Sequence, residues 1–252
     1  MQEDIKLIDV VLELVDARAP ISSKNPDIDV IAKHRPKMIL FNKIDMADPV
    51  ETAKWIDFYK AKGIPVIGIN SRTGDGIQYL NKALQDLLAE MIERNKKKGY
   101  LHKAIRVMVV GIPNVGKSTF INRWVGKNMT KTGNKPGVTR GKQWIRLRKD
   151  VELLDTPGIL WPKFEDQQVG AKLAIIGSIK DELLHRDELS LLLIDYLKLK
   201  YPHVITERYD VDSTTLSSVD TLMAIGEKRN FKKSGGEIDY TKTALTLIDE
   251  FR

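Results

Sequence analysis

Short apolar runs recur through roughly the first 160 positions, at Val10–Val15, Met38–Phe41, Pro65–Ile69, Ile105–Val110 and Val151–Leu154. Each is too short for a core helix and is bounded by charged or turn-forming residues, so each is predicted as a buried strand. Between several of them, at Pro49–Lys62 and Ile77–Arg94, apolar residues return at helical spacing. Strands alternating with amphipathic helices predict a doubly wound, mostly parallel α/β sheet. After Pro162 the texture changes. Leu173–Leu184, Asp187–Lys200, Ser217–Lys228 and Tyr240–Phe251 keep helical spacing with no convincing strand, and the last of them puts Ala244, Leu247, Ile248 and Phe251 on one face. The chain is therefore expected to divide into an α/β domain over residues 1–163 and an all-helical C-terminal domain over 164–252. The charged break Asn95-Lys96-Lys97-Lys98-Gly99 is read as a linker.

Composition narrows the class. A chain of 252 residues that is 42% hydrophobic and 30% charged is long enough for two cores and too apolar for a disordered protein. The absence of cysteine excludes zinc ribbons, iron–sulfur clusters and thiol nucleophiles. The start, Met1-Gln2-Glu3-Asp4, is too acidic for a secretory signal, and the apolar stretch around Val107–Val110 is too short for a bilayer span, so a soluble cytoplasmic protein is expected. Charge is segregated. Arg94 to Lys149 holds sixteen Lys and Arg and no Asp or Glu, while the net charge of the whole chain is only +7. A one-signed field of this kind attracts polyanions such as nucleotides and RNA, beside the plainer role of a solvated basic face.

The candidate chemistry begins at Gly111-Ile112-Pro113-Asn114-Val115-Gly116-Lys117-Ser118, which fits the phosphate-loop pattern and directly follows the strand Ile105–Val110. Backbone N–H groups of such a loop curl round phosphates, helped by the dipole of a helix beginning near Lys117 with Ser118 and Thr119. Lys117 is expected to reach the β- and γ-phosphates and the Ser118 hydroxyl to ligate Mg2+. Asp155-Thr156-Pro157-Gly158 closes the strand Val151–Leu154. Its carboxylate is suited to Mg2+ through water, and the Gly158 N–H to the γ-phosphate. Thr139, in the loop Pro136-Gly137-Val138-Thr139, is placed as a further Mg2+ ligand. Lys117, Thr139 and Gly158 thus form the catalytic set.

Base selection is assigned to Asn42-Lys43-Ile44-Asp45. The Asp45 carboxylate can accept from both N1–H and the exocyclic amine of guanine, and adenine would leave it unpaired. Asn42 and Lys43 brace the loop and the ring. Asn70 and the loop Ser71-Arg72-Thr73-Gly74 back the guanine carbonyl. These elements resemble the nucleotide site of translation-factor-related GTPases in rotated order, with Asn42–Asp45 and Ser71 ahead of Gly111–Ser118. That order is a circular permutation.

With Asp16-Ala17-Arg18-Ala19-Pro20, the run Leu154–Pro162, Ala224–Arg229 and Ser234-Gly235-Gly236, the chain resembles, over nearly its whole length, the circularly permuted GTPases of ribosome assembly of the bacterial ribosome biogenesis GTPase A (YlqF) type. The resemblance implies binding of GTP and GDP with Mg2+, and a nucleotide-dependent switch in assembly of the large ribosomal subunit. It also implies partners in that subunit or its precursor and in ribosomal RNA, with no membrane partner. Cation-dependent relatives suggest K+ at Asn114. Family members usually carry an upstream Gly-His-Met segment and extend beyond a point equivalent to Arg252; neither feature lies within these 252 residues. Where small GTPases place glutamine, this chain has Ile159, which has no polar atom to orient water and so implies slow intrinsic turnover. Lys228, Arg229, Lys232 and Lys233, clustered about Phe231, are the candidate RNA contacts. Two other classes remain in view: a nucleotide-controlled binding module with negligible catalysis, and a metabolic or tRNA-modifying P-loop enzyme, which would need a substrate constellation that the helical part does not display.

Overall fold

The computed structural model describes residues 5–100, 103–126, 143–148, 151–155, 167–179 and 186–252. Two compact units divide the chain at Glu165/Asp166. In the first, β1 (Val10–Asp16), β2 (Lys37–Asn42), β3 (Val66–Gly68), β4 (Ile105–Gly111), β5 (Gln143–Arg148) and β6 (Val151–Asp155) form one sheet in the order β3-β2-β1-β4-β6-β5. All neighbours are parallel except the β5–β6 pair. Every residue of β1 is buried, as the centre of a sheet covered on both faces requires.

The strand order reverses between β1 and β4, which is where open α/β sheets bind ligands. The registers serve that crevice. Asp16 pairs with Asn42, Leu14 with Gly111, and Val109 with Asp155, so the residues that end β1, β2, β4 and β6 share one edge. The helices are α1 (Pro26–Ile31), α2 (Pro49–Ala61), α3 (Leu80–Leu87), α4 (Ala89–Lys97) and α5 (Lys117–Val125), with short 3-10 turns at Ile44–Met46 and Ile77–Tyr79. Asn25 and Asp48 cap α1 and α2, each followed by proline at the first helical position. On the face carrying Val15, Ile39, Phe41 and Tyr59 pack together, with the Phe41 and Tyr59 rings edge to face at 5.9 Å.

Several expectations need correction here. The helical pattern read across Ile77–Arg94 is a 3-10 turn followed by two helices that meet at the buried Leu88. The expected linker at Asn95–Gly99 is helical through Lys97, where the cations Arg94, Lys96 and Lys97 in the last turn suit the helix dipole. Strand β5 carries no apolar run and was not anticipated. It lies at the sheet edge, where polar and charged residues are tolerated.

The second unit contains α6 (Gln167–Ile175), α7 (Arg186–Lys200), α8 (Val204–Tyr209), α9 (Ser218–Lys228) and α10 (Tyr240–Phe251). The helix expected at Leu173–Leu184 instead ends at Ile175, followed by a turn through Gly177 at φ 77°. Leu193, Ile194, Ile205, Leu222, Ile225, Ala244 and Leu247 form its core. Ser217 and Asp239 cap α9 and α10 by accepting from Asp220 N–H at 3.1 Å and Lys242 N–H at 3.0 Å. Gly226 permits the close approach of α9 to the following segment: a Cβ there would lie 2.5 Å from Ile238 Cγ2 and 2.7 Å from Thr243 Oγ1.

One core position is a carboxylate. Glu13, in the middle of β1, is 1% exposed; its Oε1 accepts from Asn25 N–H at 3.1 Å, and Lys37 Nζ stands 3.9 Å from Oε2. Burial pushes its carboxyl up to about 7, against the pull of Lys24 and Lys37. The folded value lies above the ordinary one, so Glu13 stabilises the fold in acid, and that contribution is lost as pH rises through about 7. Between pH 5 and pH 8 the wild type is expected to lose about 2–3 kcal/mol of unfolding free energy more than Glu13→Gln, measured by urea titration. Equal losses would show that Glu13 does not titrate in that window.

Candidate nucleotide site

The loop after β4 is shaped by its backbone. Asn114 and Gly116 both take left-handed conformations, at φ 58° and 95°, and Gly116 is the N-cap of α5. Phe120 N–H donates to Gly116 O at 2.9 Å as the helix begins. Lys117, at the first helical position, is only 6% exposed, which is unusual for lysine and keeps the ammonium close to the loop. Pro113 and Val115 are buried, whereas Asn114, Ser118 and Thr119 are half-buried along the rim.

Asn42 ties this loop to two others. It ends β2 at 2% exposure. Its Nδ2 donates to Val115 O at 2.7 Å, and its Oδ1 accepts from Ser71 N–H at 3.1 Å and from Ser71 Oγ at 2.8 Å. One carboxamide thus joins the loop after β2, the loop after β3 and the loop after β4. A Cβ on Gly116 would fall 2.3 Å from Asn42 Nδ2, so this junction has no room for any other residue there.

The Ser71–Gly74 loop is held from two further sides. The Asn70 side chain accepts from Arg72 N–H at 2.9 Å and Thr73 N–H at 3.2 Å, an Asx turn. Arg123 of α5 donates to Arg72 O at 2.5 Å and Thr73 O at 2.6 Å. Sequence reasoning missed Arg123, for a basic residue on an exposed helix position carries no signal of a backbone partner fifty residues away. Lys43 enters the left-handed region at φ 58°, and the turn it starts carries Asp45, which is exposed.

Asp155 ends β6 beside Val109, two residues short of Gly111. Thr139 and Gly158, the remaining expected site residues, lie outside the described residues, as does Ile159. In the helical unit, Lys228 pairs with Asp210 at 2.5 Å and Arg229 with Glu250 at 3.0 Å. Glu250 also takes Arg208 and the Tyr209 hydroxyl, each at 2.9 Å. Lys232 and Lys233 sit exposed on a short hairpin closed by the Lys232–Ile238 bridge, and Lys242 Nζ lies 4.5 Å over the Phe231 ring. The four basic residues grouped by sequence therefore divide into two ion-paired and two hairpin positions.

Fold and loops together define a P-loop GTPase domain in circularly permuted order, with the base loops preceding the phosphate loop. Comparison with known proteins narrows the class. A family described as "50S ribosome-binding GTPase" matches residues 106–228, and one described as "RsgA GTPase" matches residues 28–165. Ribosome biogenesis GTPase A of Bacillus cereus is 47% identical over 250 residues, covering 99% of this chain and 84% of the relative. That of Priestia megaterium is 46% identical over 251 residues, covering 99% and 87%. The structures of GDP-bound TM YlqF and of GNP-bound YlqF from T. maritima superpose with TM-scores of 0.69 and 0.66, at 28% identity, covering 99% of this chain and 92% and 90% of theirs. The chain belongs to the ribosome biogenesis GTPase A family, and it is a GTPase.

The junction at Asn42 predicts a coupled mutational response. Asn42→Ala strands the buried Val115 carbonyl and the Ser71 N–H and is expected to cost roughly 2–4 kcal/mol of unfolding free energy. Gly116→Ala meets both the left-handed backbone and the Asn42 amide. The double variant removes that amide and keeps only the backbone strain, so its cost should fall short of the sum of the singles by about 1 kcal/mol. Strict additivity in urea unfolding would show that the close approach of Gly116 to Asn42 carries no energy.

Proposed function

We propose that this GTPase binds GTP and GDP across Asn42–Asp45, Asn70–Arg72 and Pro113–Thr119, and uses the bound nucleotide to control its association with the large ribosomal subunit or its precursor, through ribosomal RNA. The observation that carries the proposal is the Asn42 carboxamide, which joins the three loops that the proposal assigns to base and phosphates. Asp45, on the turn that follows, reads the guanine edge. Lys117 at the start of α5 neutralises phosphate charge, and the loop N–H groups orient the phosphates for in-line attack.

The donor set suits a hard dication. The hydroxyl of Ser118 and the carboxylate of Asp155 are oxygen ligands; Asp155 ends β6 beside Val109 of β4, and Ser118 stands in the first turn of the helix entered by the loop after β4. Mg2+ held there would neutralise charge on the phosphate oxygens. Thr139 and Gly158 complete the site on this proposal, and Asn114 is the K+ contact. Turnover is slow, because Ile159 has no group to orient water, and it rises when ribosomal particles supply the missing group. Association uses Lys232 and Lys233 on the exposed hairpin, with Lys228 and Arg229 beside them.

Two measurements test this. The wild type should prefer GDP to ADP by orders of magnitude, and Asp45→Asn should shift preference toward xanthine nucleotides, whose extra carbonyl accepts from the new amide. Equal affinity for GDP and ADP in equilibrium titration would sink the base-site assignment. In sedimentation with large subunits at one fixed salt concentration, a non-hydrolysable GTP analogue should favour association over GDP. Lys232→Ala/Lys233→Ala should weaken it and flatten its salt dependence. Equal co-sedimentation in both nucleotide states would remove the switch.

A further inference from the structure

The turn Asp16-Ala17-Arg18-Ala19-Pro20 has no place in the loops described so far, yet it holds a fully buried carboxylate paired with two cations. Asp16 is fully buried at the end of β1, directly opposite Asn42 in the register. Its N–H donates to Ser23 Oγ at 2.9 Å, and Ser23 Oγ donates to Ala19 O at 2.7 Å, so the turn folds back and fixes the strand end. Two cations face the carboxylate. Arg18 grips it as a fork, with Nε 2.9 Å from Oδ1 and a terminal nitrogen 2.8 Å from Oδ2, and the Arg18 N–H adds a bond to Oδ1 at 3.1 Å. Lys43 Nζ lies 3.0 Å from Oδ2. Burial would raise this acid, but hydrogen bonds and charge from Arg18 and Lys43 outweigh it and hold the carboxyl below its ordinary value.

Lys43 is the residue that most needs an anchor. It takes the left-handed backbone at φ 58° that starts the turn bearing Asp45, and a lysine side chain free in solvent carries roughly 2 kcal/mol of rotamer entropy. A strained, mobile residue next to the base-reading carboxylate would have to be ordered at each binding event, at a cost in affinity. A fully buried anion within ion-pair reach orders it beforehand. Arg18 supplies the second charge that lets Asp16 stay ionised in the interior, where an unpaired carboxylate would be costly.

We propose that Asp16 is a positioning residue for the guanine-base loop: its buried carboxylate anchors the Lys43 ammonium and so holds Lys43 and the turn carrying Asp45 ready for the purine. The proposal rests on the assignment of Asn42–Asp45 as the base site. Asp16 itself touches no nucleotide and acts through Lys43.

A double-mutant cycle on fluorescent GDP binding tests it, with ADP as the control ligand. Asp16→Asn should weaken GDP about tenfold in the wild-type background and have little further effect in Lys43→Met, where no ammonium remains to anchor. A merely structural role for Asp16 would give the same loss in both backgrounds, and that result overturns the proposal. Lys43→Arg, which still places a cation on the carboxylate, should recover most of the affinity that Lys43→Met loses. If Asp16→Asn does not fold, this pair decides the matter, since equal GDP affinity in Lys43→Arg and Lys43→Met also overturns it. Failure of the base site itself would appear differently, as a wild type that binds ADP as tightly as GDP.

Discussion

Three loops at the candidate site meet at one side chain, Asn42. The Asn42 carboxamide uses its amide on Val115 O and its carbonyl on Ser71, so three loops distant in the chain are fixed by a group of two heteroatoms. Asparagine is suited to this because it presents a donor and an acceptor in one rigid plane and carries no charge to be desolvated. The requirement spreads outward. Val115 O is within reach only if the phosphate loop passes close to β2, and that path is open only because Gly116 has no Cβ. The glycine therefore serves the loop after β2 as well as its own.

Two carboxylates three residues apart on β1 show how environment sets chemistry. Glu13 and Asp16 are both buried, yet the first is pushed up to about 7 and the second held below its ordinary value. Burial acts on both in the same direction. The difference lies in the partners: Lys37 stands 3.9 Å from Glu13, whereas Arg18 and Lys43 reach Asp16 at hydrogen-bonding distance. Direct charge-assisted hydrogen bonds outweigh desolvation, and a more distant cation does not. Asp16 stays anionic beside the candidate site, while Glu13 belongs to the packing beneath α1.

In the helical unit, charge is spent on structure before it reaches any partner. Glu250 of α10 gathers Arg208, Tyr209 and Arg229, and Arg229 also lies 5.2 Å over the Tyr209 ring. Such a network links α8, α9 and α10 outside their shared apolar core. Lys232 and Lys233 on the hairpin, and Lys242 stacked over Phe231, stand outside that network. A positive count along the sequence overstates the positive surface, because carboxylates from other helices neutralise part of it.

Features whose causes are local could be read along the chain. The phosphate loop was legible because glycine and lysine are demanded at fixed offsets after a strand, and α10 was legible to its first and last residue because its apolar spacing runs unbroken from Tyr240 to Phe251. The rotated order of the loops could likewise be read directly, since motif order is a property of the chain. Tertiary structure decided what depends on distant partners. An edge position lets Gln143–Arg148 be a strand without an apolar run, and one helical pattern divides at the buried Leu88 into α3 and α4. Asn42 meets Val115 across seventy-three positions, Arg123 meets Thr73 across fifty, and Arg229 meets Glu250 across twenty-one. Local spacing carries no record of such pairings, because sheet register and helix packing bring those residues together only after each element has formed.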